Sequence, residues 1–414
     1  SSVVDVHMKE GNMKEYHGSA TLGLISGNLN FEGPIVKDRT SFNISLRRTW
    51  LDVLSAPALA IANKITKKDG IRTRARYAFH DLNLKVNHIF NDRSRMYFSL
   101  YNGNDVLKGG SSDFPSSSNT EDSYNYDTDV SLRWGNIMAT TGWTYVFNNR
   151  LFGKLSGVFT RYHSKLRSTD HDIEGKEGDS DYYERFSENT TNTGIMDLGV
   201  RTSFDYLPVH SHHIRFGGDY LVHRFRPEYN HSSSFDKSQD FISNINKEYA
   251  NDLLWGHEAG VFAEDDWTLL PSVRINAGVR FSLFNVQGKT YTGVEPRVSL
   301  RWLLADNLSF KASYSRMNQY VHLISNSFIS LPTDAWMPVT RKLKPLLSDQ
   351  VSAGFYYDLN KTYSFSVEGY YKTMENLLEY RDGHTFTPSY LNWEEKLTAG
   401  DGCAYGAEFM VRKE

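Results

Sequence analysis

The chain has 414 residues and a formal net charge of -3, from 46 Lys and Arg against 49 Asp and Glu, so it lacks the basic excess that nucleic-acid binding uses. Its one cysteine, Cys403, excludes a disulfide framework and a cysteine-based metal cluster, and is expected at a buried or wall position. Only 39% of residues are hydrophobic, yet 14% are aromatic, and no run approaches the roughly 18 to 20 apolar residues of a spanning helix. The mean hydropathy of -0.51 does not exclude membrane-spanning strands, which alternate apolar with polar residues and carry hydrophilic loops.

Period two governs the chain from its start. Apolar residues fall on even positions at Ala20, Leu22 and Leu24 and on odd ones at Leu29 and Phe31, so a tight hairpin is expected at Ser26 and Gly27. Phe42, Ile44 and Leu46 alternate with Asn43, Ser45 and Arg47. Val273, Ile275, Ala277, Val279, Phe281 and Leu283 alternate with polar or small residues, and the same pattern returns at Val298–Leu304, Leu308–Tyr314, Val351–Tyr357 and Tyr363–Tyr371. No long segment shows helical spacing, so an all-β fold is predicted, with about sixteen strands.

The connections divide into two kinds. Short turns are expected at Pro34–Arg39, Asn91–Arg93, Asn148–Arg150, Leu207–Ser211, Leu270–Ser272, Asp306–Asn307 and Asn360–Lys361. Between them lie long segments read as polar loops: Leu51–Gly70, Asn102–Tyr124, Arg167–Thr193, Arg226–Asp252, His322–Leu347 and Leu378–Asp401, with a compact loop at Gln287–Gly293. Alternation of short and long puts all short turns at one end of a meander, the asymmetry of a transmembrane antiparallel up-and-down β-barrel with periplasmic turns and extracellular loops. A soluble sandwich or propeller gives no reason for it. Trp50, Trp134, Trp143, Trp267 and Trp302 fall in or at the ends of strands, where rings anchor at the headgroup level.

The opening Ser1-Ser2-Val3-Val4-Asp5-Val6-His7-Met8-Lys9-Glu10-Gly11 resembles the junction between plug and barrel in TonB-dependent outer-membrane transporters. Phe31-Glu32-Gly33-Pro34-Ile35, Lys37-Asp38-Arg39-Thr40-Ser41-Phe42, Asn91-Asp92-Arg93-Ser94-Arg95, Gly260–Trp267, Glu295-Pro296-Arg297 and Thr333–Pro338 resemble successive segments of that family, in order. The resemblance implies residues 1–12 as the end of a plug and residues 13–414 as an incomplete barrel, about sixteen strands of the family's roughly 22. It also implies a non-enzymatic receptor of the Gram-negative outer membrane that imports a scarce nutrient: an iron chelate, vitamin, glycan or peptide. The expected partners are outer-membrane lipid, the TonB complex through an N-terminal region not in this chain, and a surface lipoprotein. A passive porin-like channel and a soluble carbohydrate-binding β protein are the alternatives.

Three groups could carry chemistry. Asp170, Asp172, Glu174 and Asp181, with Gly175, follow the offsets of a calcium loop, so Ca2+ is the one cofactor considered; Glu177 occupies its usual apolar place, and solvated loop charge is the simpler reading. His210, His212 and His213 crowd one turn as a zinc site would, without a fourth ligand nearby. Trp336, Tyr390 and Trp393 lie in long loops, where rings either stack on an organic ligand or pack the loops together. The paired acids Asp265-Asp266 and Glu394-Glu395 are sequence neighbours and form no catalytic pair. No G-x-S-x-G motif or cysteine–histidine arrangement gives an enzyme signature.

Overall fold

Each alternating run pairs antiparallel with the next. The computed structural model describes residues 8–115, 123–238, 241–250, 253–325, 334–360, 362–383 and 392–413. The first half of the wall contains β1 (His17–Leu22), β2 (Ser26–Val36), β3 (Thr40–Thr49), β4 (Ile71–Asn91), β5 (Ser94–Asp113), β6 (Tyr124–Asn148), β7 (Leu151–Glu174), β8 (Tyr183–Val209) and β9 (His212–Ser238). The second contains β10 (Phe241–Ala250), β11 (Leu254–Leu270), β12 (Val273–Val286), β13 (Lys289–Ala305), β14 (Leu308–Gln319), β17 (Leu346–Asp358), β18 (Tyr363–Tyr380) and β19 (Leu397–Lys413). Between β14 and β17, β15 (Val321–Ile324) and β16 (Ala335–Pro338) pair only with each other.

β10 and β11 are consecutive segments that both lie against β9, the first along its upper part and the second along its lower part. The wall therefore has sixteen passes among the described residues, in agreement with the sequence reading. Among these residues no ladder joins β19 to β1.

The short turns stand within a residue or two of their expected places. The first hairpin turns at 23–25, where the Gly23 N–H donates to the Ser26 carbonyl at 3.0 Å, slightly before the Ser26–Gly27 tip read from the sequence. The compact loop is tighter than expected: Val286 faces Lys289 across Gln287 and Gly288, both at positive φ (51° and 72°). Such two-residue turns need positive φ at both positions, which glycine meets without strain.

The segments read as long loops are largely ordered. β8 and β9 each run for 27 residues, whereas a bilayer needs about 9–11. Much of Asn102–Tyr124, Arg167–Thr193 and Arg226–Asp252 therefore continues the ladders beyond the membrane. Above the lipid neither face is required to be apolar, so backbone hydrogen bonding persists after the alternation ends.

Leu51–Gly70 is not a polar loop. Leu51–Thr66 forms a helix, α1, that starts at Trp50 and contains Pro57. β3 pairs with β4 only from Arg48–His80 downward, leaving residues 71–79 without a neighbour on that side. α1 lies there, and the Asn63 side chain donates to the Thr73 carbonyl (2.8 Å) and accepts from its N–H (2.7 Å), much as a strand would. Asn63→Ala should cost about 1 kcal/mol and speed proteolysis within 51–66 without changing barrel assembly on a gel. An unchanged cleavage rate would mean that other contacts hold the helix.

Val298, Phe281, Val261 and Trp302 are roughly half exposed on the outer face, as a lipid-facing surface must be in a chain taken without lipid. Trp143 and Trp267 also face outward. Trp134 does not: it takes the opposite parity and stacks on Tyr77, with centroids 6.4 Å apart. Cys403 is on the wall as expected, but exposed rather than buried.

Candidate functional site in the lumen mouth

Inward-facing residues of β8 to β13 form a charged network. His223 places Nδ1 at 2.8 Å from Asp197 Oδ1 and Nε2 at 3.4 Å from Glu258 Oε2. The Arg280 guanidinium donates to both Asp219 oxygens, at 2.6 and 3.0 Å, a bidentate geometry that fixes both side chains. To reach Asp219 it crosses Gly260, where a Cβ would come within 2.2 Å of a guanidinium nitrogen and displace the Arg280 side chain. The Ser282 hydroxyl donates to Glu295 at 2.8 Å and lies 2.8 Å from the Tyr320 hydroxyl.

An apolar cluster sits directly on this network. Phe284 stacks on Tyr320 with centroids 5.2 Å apart and planes 7° from parallel, and His223 lies against both Phe225 and Phe284. Ile324, Ala335, Met337, Val339, Leu343 and Trp393 complete a buried cluster with Phe225, Leu254, Phe284 and Val286 of the wall. The long segments after β14 and β18 are thus folded into the mouth as a cap. Apolar residues inside a polar-lined lumen have this explanation: they are the underside of the cap and its seat.

Polar ties fix the cap. Lys396 Nζ donates to both Glu228 oxygens at 2.8 and 3.0 Å, with side chains only 1% and 5% exposed. Glu228 is set inward by a register shift at Pro227–Glu228, where β9 carries extra residues opposite Thr193. Such a bulge moves a side chain to the other face, and proline, with no N–H to donate, fits there. The Tyr291 hydroxyl donates to the Thr340 carbonyl at 2.7 Å and Arg341 Nε to the Gln287 carbonyl at 2.9 Å.

His322 of β15 is 4% exposed, and its Nε2 has no hydrogen-bond partner among the described residues. Burial pushes its pKa down from 6.5 to about 4. The docked hairpin therefore binds fewer protons than the released one: its stability is fully present above pH 6.5 and is lost as pH falls toward about 4, by up to about 3 kcal/mol. Trp336 emission, taken as the difference from Trp336→Phe, should move to the red across this range in the parent and stay constant in His322→Leu. A shift that survives His322→Leu would assign the effect to another group.

The residues singled out from the sequence are not brought together. Trp393 is 3% exposed inside the cap, Trp336 is half-buried opposite Leu323 in the hairpin, and Tyr390 lies outside the described residues. Asp170, Asp172 and Glu174 lie on one face of the extended β7, not in a loop. There the Thr128 hydroxyl donates to Asp170 at 2.9 Å and the Tyr126 hydroxyl donates to Glu174. Successive same-face positions on a strand are about 7 Å apart and do not converge on an ion. Among the described residues no cluster of three or more His, Cys, Asp or Glu side chains could hold a metal. His212 and His213 point to opposite faces, to Asp265 (2.6 Å) and Asp205 (2.8 Å). The neighbouring Asp266 is held by Arg274 at 2.6 and 2.7 Å.

At the other end of the lumen the leading segment enters the wall. The Met13 carbonyl accepts from the Asp38 N–H at 3.0 Å, Lys85 donates to the Met8 carbonyl at 3.0 Å, and Lys9 pairs with Glu32 at 2.7 Å. Met8, Glu10 and Met13 line a cavity of about 670 Å³ with Lys85, Tyr97 and Arg201 of the wall.

Residues 25–408 match the family model of the TonB dependent receptor-like β-barrel. The chain belongs to this family. It is a β-barrel of the Gram-negative outer membrane.

No curated relative matches the receptor. Among solved structures it is similar to the ferric-catecholate import receptor Fiu from Escherichia coli K12, at TM-score 0.56 and 12% identity, over 97% of this chain and 63% of that one. It is also similar to the ferric yersiniabactin uptake receptor FyuA from Yersinia pestis, at TM-score 0.53 and 11% identity, over 97% and 58%. For the RagAB peptide importer the values are 0.54 and 10%, over 93% and 48%. At these identities the likeness establishes the fold. The receptor spans between about half and two thirds of the length of these structures.

Proposed function

We propose that this chain is the wall and mouth of an active, non-enzymatic importer of a scarce nutrient: an iron chelate, a vitamin, a glycan or a peptide. The observation that carries the reading is the cap, two inserted segments that bury aromatic residues across the lumen. A pore for free diffusion gains nothing from such a cap, whereas a receptor that must release its ligand inward uses a mouth with a closed and an open arrangement. The ligand binds at the mouth and the cap rearranges around it. Energy arrives from TonB through an N-terminal region, with residues 1–12 as the junction that transmits it from a plug in the lumen; a surface lipoprotein is a further partner. The bound segment at Met8–Met13 supports this path.

Uptake decides between this and the passive channel. Cells producing the full-length protein are offered labelled ferric siderophores, cobalamin, oligosaccharides and oligopeptides, with and without a protonophore. Saturable uptake of one class that stops with the protonophore is expected. Linear uptake that continues after the proton gradient collapses would establish the passive channel instead.

A further inference from the structure

The tall part of the wall has two edges, and they differ. Along residues 71–79 of β4 the edge is covered by α1, whose Asn63 side chain bonds both the carbonyl and the N–H of Thr73. The opposite edge is β10. It pairs with the upper part of β9, from Phe241 opposite Ser238 to Ala250 opposite Tyr229. β11 meets β9 only from Phe225 downward, and β12 stops at Val286, opposite Gly256, so the wall steps down beside β10. Among the described residues no ladder or backbone hydrogen bond takes up the far side of β10.

A strand directs alternate N–H and C=O groups to each of its neighbours, so about half of the backbone polar groups of β10 are left for an added chain. Exposed edges are commonly blunted by proline, a bulge, short length or inward charge. β10 has ten residues, no proline and an unshifted register with β9, and Lys247 is its one inward charge. The inward face follows from Asn230, which donates to Glu228 beneath the cap and stands opposite Tyr249, so the odd-numbered residues of β10 face the lumen. Phe241 and Ile245 lie on that face, 60% and 43% exposed. The strand descends toward Leu254, which belongs to the buried cluster that seats the cap. An added strand thus has alternate side chains over Phe241 and Ile245 and its lower end at the mouth.

We propose that the free edge of β10 captures an extended peptide as an added strand and delivers it to the mouth. Of the four nutrient classes of the importer reading, on which delivery rests, the peptide alone has a backbone that repeats donors and acceptors at the spacing of the ladder. A ferric chelate, vitamin or glycan leaves that row unpaired. Recognition through the main chain tolerates many sequences, and Phe241 and Ile245 favour apolar side chains at alternate positions.

The test is amide hydrogen exchange of the full-length protein in detergent micelles, with a tryptic digest of casein as probe. At about ten times the half-saturating concentration, every second amide of residues 241–250 should exchange about tenfold more slowly, while those bonded to β9 stay as they were. A soluble octapeptide with valine at alternate positions should act alike, and the same octapeptide with its backbone nitrogens methylated should not. Phe241→Lys with Ile245→Lys should weaken the octapeptide about tenfold, the protected ladder with β9 showing that the strand is intact. Absence of protection by the digest, equal protection by the methylated octapeptide, or undiminished affinity in the double variant overturns the proposal. Protection at β10 together with peptide uptake that ignores a protonophore would remove the importer reading and leave edge binding in place; energised uptake without protection would do the reverse.

Discussion

Lys396→Met is expected to destabilise the docked cap by about 3–5 kcal/mol. The change removes the cation that faces Glu228 at 2.8 and 3.0 Å and leaves that carboxylate buried at 5% exposure. The penalty comes mainly from the stranded charge, because a buried ion pair gains little over an apolar pair of the same size. The double variant Lys396→Met, Glu228→Met should therefore recover most of the loss. Hydrogen exchange of residues 321–324, 335–338 and 393–397 measures it: a rise of two to three orders of magnitude in the single variant, largely reversed in the double one. If both variants exchange alike, the pair does not hold the cap.

The second large effect is expected at Phe284→Ala. Phe284 is fully buried, stacks on Tyr320 at 5.2 Å and touches His223 at 5.9 Å, so it joins the cap to the charged network beneath. Truncation removes the ring and leaves a cavity between rigid strands that cannot collapse into it, at about 3–5 kcal/mol. Exchange should rise through the cap while the ladder between β11 and β12 below Gly260 stays protected. Water entering the cavity should also loosen Arg280 from Asp219. If protection falls along β12 as a whole, Phe284 supports the wall and not the cap.

These two positions also show what the sequence discloses. Turns such as Asp306–Asn307 could be placed because a tight reversal needs particular residues in contiguous order. The lipid-facing strands could be placed because one face must be apolar, which prints a period of two on Val273–Leu283. Neither condition holds above the membrane, so Lys165–Glu174 continues a ladder that its residues do not advertise. The helix at Leu51–Thr66 was concealed by Pro57 and by the apolar residues it leaves outward. Its role is set by the unpaired edge of β4, which is visible only once β3 is seen to end.

The mouth was the least legible part. Arg280 and His223 appear in the sequence only as polar residues on inward positions of good strands. Their partners Asp219 and Glu258 come from other strands and are assigned by register. For Trp393 the sequence leaves ligand stacking and loop packing both open; the ring packs inside the cap, and the sequence contains no sign of the fold-back that buries it. A proline beside an acidic residue at Pro227–Glu228 was the one local hint of a bulge.

The tie between Glu228 and Lys396 also bears on the order of assembly. The two residues are 168 positions apart, and the chain between them contains six of the sixteen passes of the wall. Bringing such distant groups together by chance search is entropically costly, and contacts of this range slow folding. Hairpins from β9 to β19 form from near neighbours and shorten that search at each step, so the ion pair closes only after the wall between its ends is built. On this order the chain enters the membrane with its mouth open, and the mouth seals only after the wall between Glu228 and Lys396 is built.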